Sequence, residues 1–416
     1  MLFLHTLIEL RSGKLLGTKH LALSDNLTQF PLEILSLADS LEILDLSNNQ
    51  LSSLPKEIAQ LKKLKILFAS NNQFTTLPEA LGACTNLQMI GFKSNQINYV
   101  PADSLPLKLR WLILTGNQIE VLPDTLGERK LLQKLTLAGN QLTSLPENLN
   151  QLHNLELVRI SANNLKQCPD QLLSLPKLAW LAFAGNPFSQ SPTDDQTVPN
   201  LCSTDLNIGE VLGQGASGII SKAQWNNQPT DFPNEIAVKV FKGDITSDGY
   251  PEDELQACLK VGNHPNLIQS LAQVNEPDFL ALIMNLIPNT YKNLGLPPCF
   301  ESCTRDNFSE GFYLSIEKIQ KIVSQMMNVF EHLHEHKVCH GDLYAHNTLI
   351  DEDANLIFGD FGAASRYHML NMEQQSKVKR IEQRALSYFI ADLLSICINE
   401  DKKSVSYKNL AQKIIH

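Results

Sequence analysis

Apolar residues in the first half of the chain recur on a fixed template. The segment LEILDLSNNQLSSLPKEIAQLKK begins at Leu41, and further copies begin at Leu64, Leu87, Leu109, Leu132, Leu155 and Leu178. Each follows LxxLxLxxNxLxxLPxxLxxLxx with a step of 22 or 23 residues. A shorter turn, His20 to Ser40, precedes them, and the amphipathic LIELRSGKLL is expected to cap that end. The LxL part alternates like a short strand with its leucines turned inward. The Leu-Pro step ends the turn and starts the opposite side of the coil. One such coil cannot bury its own apolar face, whereas stacked coils share a core. The Asn of each copy, at 49, 72, 95, 117, 140, 163 and 186, is expected to bond the backbone of the following turn, since a buried amide must be satisfied. FAGNPF closes the last copy, with Phe188 placed to seal the core.

After Phe188 the periodicity stops. SQSPTDDQTVPN reads as a linker over 189–203, which sets domains at 1–188 and 204–416. Downstream, Asn207 to Leu212 alternates like a strand and enters GQGASG, with Gly213, Gly215 and Gly218. SGIISKAQW then alternates again, so the glycines lie in a hairpin rather than at a helix start, which a dinucleotide site would need. EIAVKVF is a strand carrying Lys239 among apolar residues, where a lysine needs an anionic partner. A helix over about 252–261 offers Glu254 for it, with Glu252 as the alternate. LALIMNLIP, 280–288, reads as a buried strand running into a hinge, with Met284 at the back of a pocket. A long amphipathic helix over about 315–336 leads into VCHGDLYAHNTLI, and NLIFGDFGAAS follows. From Arg380, RIEQRALSYFIADLLSIC reads as a buried helix about 17 residues after Gly362, and SYKNLAQKIIH as one further helix.

The repeats are similar to leucine-rich-repeat proteins. The ordered set LGQGASG, IAVK, a helical Glu, NHPNLI, HGDLYAHN and GDFG resembles the protein kinase superfamily. The fusion looks like bacterial-type kinases that carry such repeats. The expected fold is therefore an α/β leucine-rich-repeat solenoid followed by an α+β, two-lobed protein-kinase-like domain with a reduced C-lobe. The resemblance implies ATP and Mg²⁺ as cofactors and transfer of the γ-phosphate to a protein hydroxyl, with Ser/Thr favoured over Tyr. It implies that Lys239, fixed by Glu254, holds the phosphates, that Asp360 and Asn347 hold metal, and that Asp342 takes or orients the hydroxyl proton. Gly213, Gln214, Gly215, Ala216, Ser217 and Gly218 would cover the phosphates, with Leu212 and Ile220 flanking them. Ala237 and Leu349 would enclose the adenine, with Met284 at the back of the pocket and Asn285, Leu286 and Ile287 offering it backbone groups. His340 would pack under the DFG turn.

Three departures qualify that resemblance. Gly341 stands where the family has the Arg that receives a phosphorylated activation loop. Tyr344 and His346 stand where Ser/Thr and Tyr kinases, respectively, place a cation; His346, Arg305 and Arg366 are candidates to supply one. The segment after Gly362 is short. These departures keep two alternatives in play: a non-catalytic pseudokinase scaffold, and a kinase for a small molecule, a class that often has an HGD tripeptide.

The strand face of the repeats is expected to bind a protein through exposed Phe68, Met89, Arg110, Trp111, Ile113, Arg159 and Trp180, since aromatic and Arg side chains are common anchors. A net charge of −10 argues against nucleic acid as partner. The eight cysteines are scattered without zinc or disulfide spacing, and no apolar stretch approaches about 20 residues. Both point to a cytoplasmic protein with no membrane insertion, with export that needs no N-terminal signal as the alternative.

Overall fold

The computed structural model describes residues 4–190, 198–215, 217–227, 232–243 and 245–414. The chain divides into two compact units, 1–178 with 186–188, and 179–185 with 189–416.

The first unit opens with helix α1, Leu7–Arg11, whose Thr6 and Glu9 form a reciprocal capping box. Three-residue strands then recur once per coil: β1 His20–Ala22, β2 Ile43–Asp45, β3 Ile66–Phe68, β4 Met89–Gly91, β5 Trp111–Ile113, β6 Lys134–Thr136 and β7 Leu157–Arg159. They pair in parallel and in sequence order. The central leucines Leu44, Leu67, Leu112 and Leu135 are fully buried. A proline precedes each 3-10 turn on the opposite side, as at Pro55, Pro78 and Pro123, where its fixed φ suits the turn entry. The last of these turns is a short helix, α2, Asp170–Leu173.

The asparagines form a ladder that joins successive coils, reaching the preceding coil as well as their own turn. Asn117 Nδ2 donates to Leu114 O at 2.9 Å in its own coil and to Phe92 O at 3.0 Å in the preceding one, and its Oδ1 accepts from Ile97 N at 2.9 Å. Asn72, Asn95, Asn140 and Asn163 repeat this set. Asn117→Ala strands three buried backbone groups, each costing about 1–3 kcal/mol. Urea unfolding is therefore expected to show a loss of roughly 3 kcal/mol or more; a change below about 0.5 kcal/mol would mean that water replaces the amide.

The strand face differs from its expected exposure at three positions. Met89 is buried because its in-register neighbours Ile66 and Trp111 flank it on the same face. Arg159 is buried. Trp180 is buried within the second unit. Phe68, Arg110, Trp111 and Ile113 remain half-buried. Lys134 Nζ lies 4.2 Å from the Trp111 ring centroid, and Arg110 Nε donates to Gln133 Oε1 at 2.7 Å.

The second unit begins with strand β8, Trp180–Ala182, which carries the last copy of the repeat in sequence. Within the expected linker, residues 191–197 lie outside the described set. Beyond them, Leu201 N donates to Gln273 O and Gln273 N to Pro199 O, so the chain is already packed before Thr204. An antiparallel sheet follows, in the order β12-β13-β11-β10-β9: β9 Leu206–Gln214, β10 Gly218–Trp225, β11 Glu235–Phe241, β12 Ser270–Glu276 and β13 Phe279–Asn285. Helix α3, Pro251–Val261, starts on a proline and stops at Gly262, whose φ is +66°. The remainder is mainly helical: α4 Ile316–Glu335, α5 Met372–Ser395 and α6 Val405–Ala411. Between α4 and α5 lie β15 Val338–Cys339 paired with β18 Ser365–Arg366, and β16 Thr348–Ile350 paired with β17 Leu356–Phe358. Strand β14, Lys292–Asn293, adds to β16. Helix α5 starts eight residues before the expected Arg380, because Asn371 and Gln374 form a capping box there. Among the described residues, no helix is long and apolar enough to cross a membrane.

Candidate functional site

One cavity gathers much of the chemistry. Its lining includes Gly215, Ser217, Gly218 and Ile220 from the β9–β10 hairpin, and Lys239 from β11. Glu254, Cys258 and Val261 enter from α3, Met284 from β13, and Asp360 to Gly362 from the loop after β17. Glu254, Cys258 and Val261 share a helix face by their i, i+4, i+7 spacing.

Lys239 and Glu254 form a buried ion pair. Burial pulls the Lys239 ammonium down, but the carboxylates of Glu254 and Asp360 outweigh it and hold Lys239 above its ordinary value. One cation thus faces two anions in a cavity whose lining also includes Ser217, Asp248 and Ser270 among apolar residues. Asp360 takes a left-handed backbone conformation, φ +59°, which Asp tolerates better than most residues, and its side chain accepts from Gly362 N.

The hairpin glycines differ in role. A Cβ on Gly218 would sit 2.4 Å from Val240 O, so that glycine permits β10 to pack on β11, whereas Gly213 and Gly215 face open space. Ala216 lies outside the described residues.

His340 to Asn347, including the candidate residues Asp342 and Asn347, do not line the cavity but form a tightly bonded loop. Asn347 Nδ2 donates to Asp342 Oδ2 at 2.8 Å and to Asp342 O at 3.1 Å, which leaves Asn347 Oδ1 as an acceptor. His340 Nε2 donates to Gly359 O at 3.0 Å, and its Nδ1 accepts from Asp342 N at 3.3 Å. The imidazole thereby ties Asp342 to the strand leading to Asp360, packed against the rings of Phe358 and Phe361.

Three carboxylates that carry this loop have no local sequence signal. Glu382, buried on α5, accepts from His340 N at 2.8 Å and Gly341 N at 3.0 Å. Asp306 accepts from Ala345 N at 2.8 Å and donates its own N–H to Asp392. Asp392 in turn holds Arg305.

Comparison with known proteins fits this geometry. The model of the protein kinase domain matches residues 206–391, and that of the leucine-rich repeat matches 39–97. The chain carries a protein kinase domain behind a leucine-rich-repeat region. The chain is 25% identical over 185 residues to fibroblast growth factor receptor 1 of Pleurodeles waltl, covering 42% of this chain and 23% of that protein. It is 25% identical over 178 residues to the tyrosine-protein kinase Mer of Mus musculus, covering 42% and 18%. It is 24% identical over 180 residues to fatty acyl-CoA synthetase and RNA processing-associated kinase 1 of Saccharomyces cerevisiae, covering 38% and 18%. The chain thus spans less than a quarter of the length of these three relatives. Among solved structures, a leucine-rich-repeat protein of Leptospira interrogans is 29% identical with a TM-score of 0.27, covering 41% of this chain and 56% of that one. A plant peptide hormone receptor, RGFR1 in complex with RGF2, is 28% identical with a TM-score of 0.34, covering 40% and 27%.

Within the kinase domain, the expected nucleotide residues separate into two groups. Gly215, Ser217, Gly218, Ile220, Lys239 and Met284 line the cavity. Ala237 and Leu286 join Ile220 and Met284 in one apolar cluster at its edge. Leu212, Gly213, Gln214 and Leu349 do not line the cavity. Leu212 is exposed, and Leu349 sits on β16 opposite Ile357. At the hinge, Asn285 N donates to Gln269 O, so that N–H is already committed. Of the candidate cations, Arg305 is bound to Asp392 and lies 4.7 Å from the Tyr388 ring centroid, while Arg366 lies 3.9 Å from Asp253.

The residues fit a nucleotide with its metal. A mainly apolar cavity lined in part by a lysine suits a base and its phosphates. Among the described residues, no three His, Cys, Asp or Glu side chains gather as a metal cage. Asp360 and Asn347 instead offer hard oxygen donors, which suits an Mg²⁺ completed by water and phosphate oxygens.

Asp306 makes the loop sensitive to pH. Burial, reinforced by the nearby Asp392 and Asp342 carboxylates, raises its carboxyl from 3.8 to about 7, against the Ala345 N–H that lowers it. Between those two values the folded chain keeps a proton that the unfolded chain has lost. Stability therefore falls as pH rises through the window, by up to about 1.4 kcal/mol per unit, and levels off above it. Asp306→Asn is expected to remove that slope in denaturant titrations from pH 4 to 8; an unchanged slope would assign the proton elsewhere.

Proposed function

We propose that the chain is an ATP-dependent protein kinase that transfers the γ-phosphate to a protein hydroxyl, with Ser/Thr as acceptor. The observation that carries this reading is the convergence of the Lys239–Glu254 pair and Asp360 on one cavity, with a bonded Asp342–Asn347 pair tied through His340 to Gly359, the residue before Asp360.

In this reading Lys239 binds the nucleotide's phosphates, and Glu254 keeps its ammonium in place. The glycine hairpin covers those phosphates with backbone N–H groups. Asp360 and Asn347 hold Mg²⁺, which when bound neutralises phosphate charge. Asp342, held by Asn347, accepts or orients the proton of the acceptor hydroxyl. Transfer of this kind depends on positioning and charge, and the buried bonds around the loop supply positioning.

The strand face of the repeats would bind a protein partner through Phe68 of β3, Trp111 of β5 and Arg110 just before it, all half-buried. The specific observation favouring a non-catalytic scaffold is Tyr344: it is 3% exposed and stacked on Trp180, so it supplies no cation toward a phosphate.

The test is Mg-ATP turnover on panels of Ser-, Thr- and Tyr-containing proteins and of small hydroxyl compounds. Phosphate on Ser or Thr supports the reading, and phosphate on Tyr moves the acceptor class. Transfer to small molecules alone, or nucleotide binding without transfer, overturns it.

A further inference from the structure

We propose that Trp180 is a positioning residue for phosphoryl transfer, holding the 342–347 loop through the Leu343 carbonyl and the Tyr344 ring. The catalytic part of this inference rests on the kinase reading above; the structural part stands without it.

Trp180 lies 163 residues before the loop in sequence, yet its indole N–H donates to Leu343 O at 3.0 Å. Leu343 follows Asp342 directly. The indole stacks on Tyr344, with centroids 5.1 Å apart and planes 3° apart, and on Tyr388 of α5, at 5.4 Å and 11°. Trp180 and Tyr344 are almost completely buried.

The flanking backbone reinforces this seat. Phe183 N and Ala184 N both donate to Ser365 Oγ, at 2.9 and 3.0 Å, and Ser365 follows the Asp360–Gly362 turn by three residues. Leu181 O approaches Gly341 so closely that a Cβ there would lie 2.7 Å from it and 2.9 Å from Ala363 O. With φ at +73°, position 341 accepts glycine and little else. The departure from Arg at 341 thus has a steric cause: residues 179–185 occupy the approach to that position. They touch the loop before Asp342 and the segment after Gly362 together.

A second route reaches the same loop. Tyr388 is covered by the Arg305 guanidinium, Arg305 pairs with Asp392, Asp392 accepts from Asp306 N, and Asp306 accepts from Ala345 N. The loop is therefore gripped at Leu343 O and Ala345 N, on either side of Tyr344, and both grips trace back to the ring stack that contains Trp180. The hydrogen-bond and ring partners of Trp180, namely Leu343, Tyr344 and Tyr388, all lie outside the cavity lining, so its influence runs through loop geometry and not through nucleotide binding.

The experiment uses the full chain, with Trp180→Phe, which keeps an aromatic ring and loses the N–H, and Trp180→Ala, which loses both. Turnover and hydrogen exchange of the amides from 343 to 348 are measured together, with thermal melts to confirm folding. The expected result is a kcat lowered about fivefold in Trp180→Phe and about 50-fold or more in Trp180→Ala, corresponding to the loss of one hydrogen bond and then of the stack as well. KM for ATP should stay within about twofold, because the nucleotide cavity is untouched. Loop amides should exchange at least about tenfold faster in Trp180→Ala, while those of the Lys239 strand are unchanged. If Trp180→Ala does not fold, Trp180→Phe decides alone. Wild-type kcat together with wild-type loop protection in the folded variants would overturn the inference while leaving the kinase reading standing. If the wild-type chain shows no transfer at all, the kinase reading and the catalytic part of the inference both fail. Exchange then decides whether Trp180 still holds the loop.

Discussion

Asp342→Asn should cut phosphoryl transfer by about 10²–10⁴-fold, the usual worth of a positioned acid–base group. The replacement keeps the shape and leaves an oxygen for Asn347 Nδ2, now 2.8 Å from Asp342 Oδ2, so the loop retains its fold. What disappears is the negative charge that accepts or orients the hydroxyl proton. Single-turnover measurements with Mg-ATP should therefore show slow chemistry with nucleotide affinity within about threefold of wild type. Undiminished transfer would place the proton acceptor at another residue.

Lys239→Ala should abolish measurable transfer and also destabilise the kinase domain by about 3–5 kcal/mol. Glu254 would be left buried without its counter-ion and beside Asp360, the arrangement that burial penalises most. Lys239→Ala/Glu254→Ala should recover part of the stability, because the stranded charge is gone, yet none of the transfer. Urea unfolding of the two single variants, the double variant and wild type closes the cycle. A single-variant loss below about 1 kcal/mol would mean that water reaches the pair and screens it.

Much of the two-part organisation was legible residue by residue. The 22- or 23-residue step placed the strands and the asparagines, because each coil solves the same local burial problem. The ladder's direction was less legible: Asn117 reaches back to Phe92 O and Ile97 N, a relation visible only once coils are stacked. In the kinase domain, motif order and helical spacing were enough to join Lys239 to Glu254. A buried lysine on a strand needs an anion, and the next amphipathic helix offered few. Leu349 and Leu212 illustrate the opposite case. Their places in the motif were clear, but whether a side chain lines a cavity depends on strand twist and on neighbours that no local pattern records.

The sequence by itself therefore determined the repeat, the hairpin, the ion pair and the order of the site loops, all of which follow from local periodicity or from charges that must be neutralised nearby. Tertiary structure alone decided what surrounds the 342–347 loop. Glu382, Asp306 and Trp180 come to it from 42, 39 and 163 residues away respectively. None is marked by a motif, since their roles arise from burial against distant backbone groups. Trp180 and Gly341 show the limit most clearly. The first reads as an exposed strand residue and the second as a missing arginine, and a single packing event, the seating of residues 179–185 in the second unit, gives both their meaning.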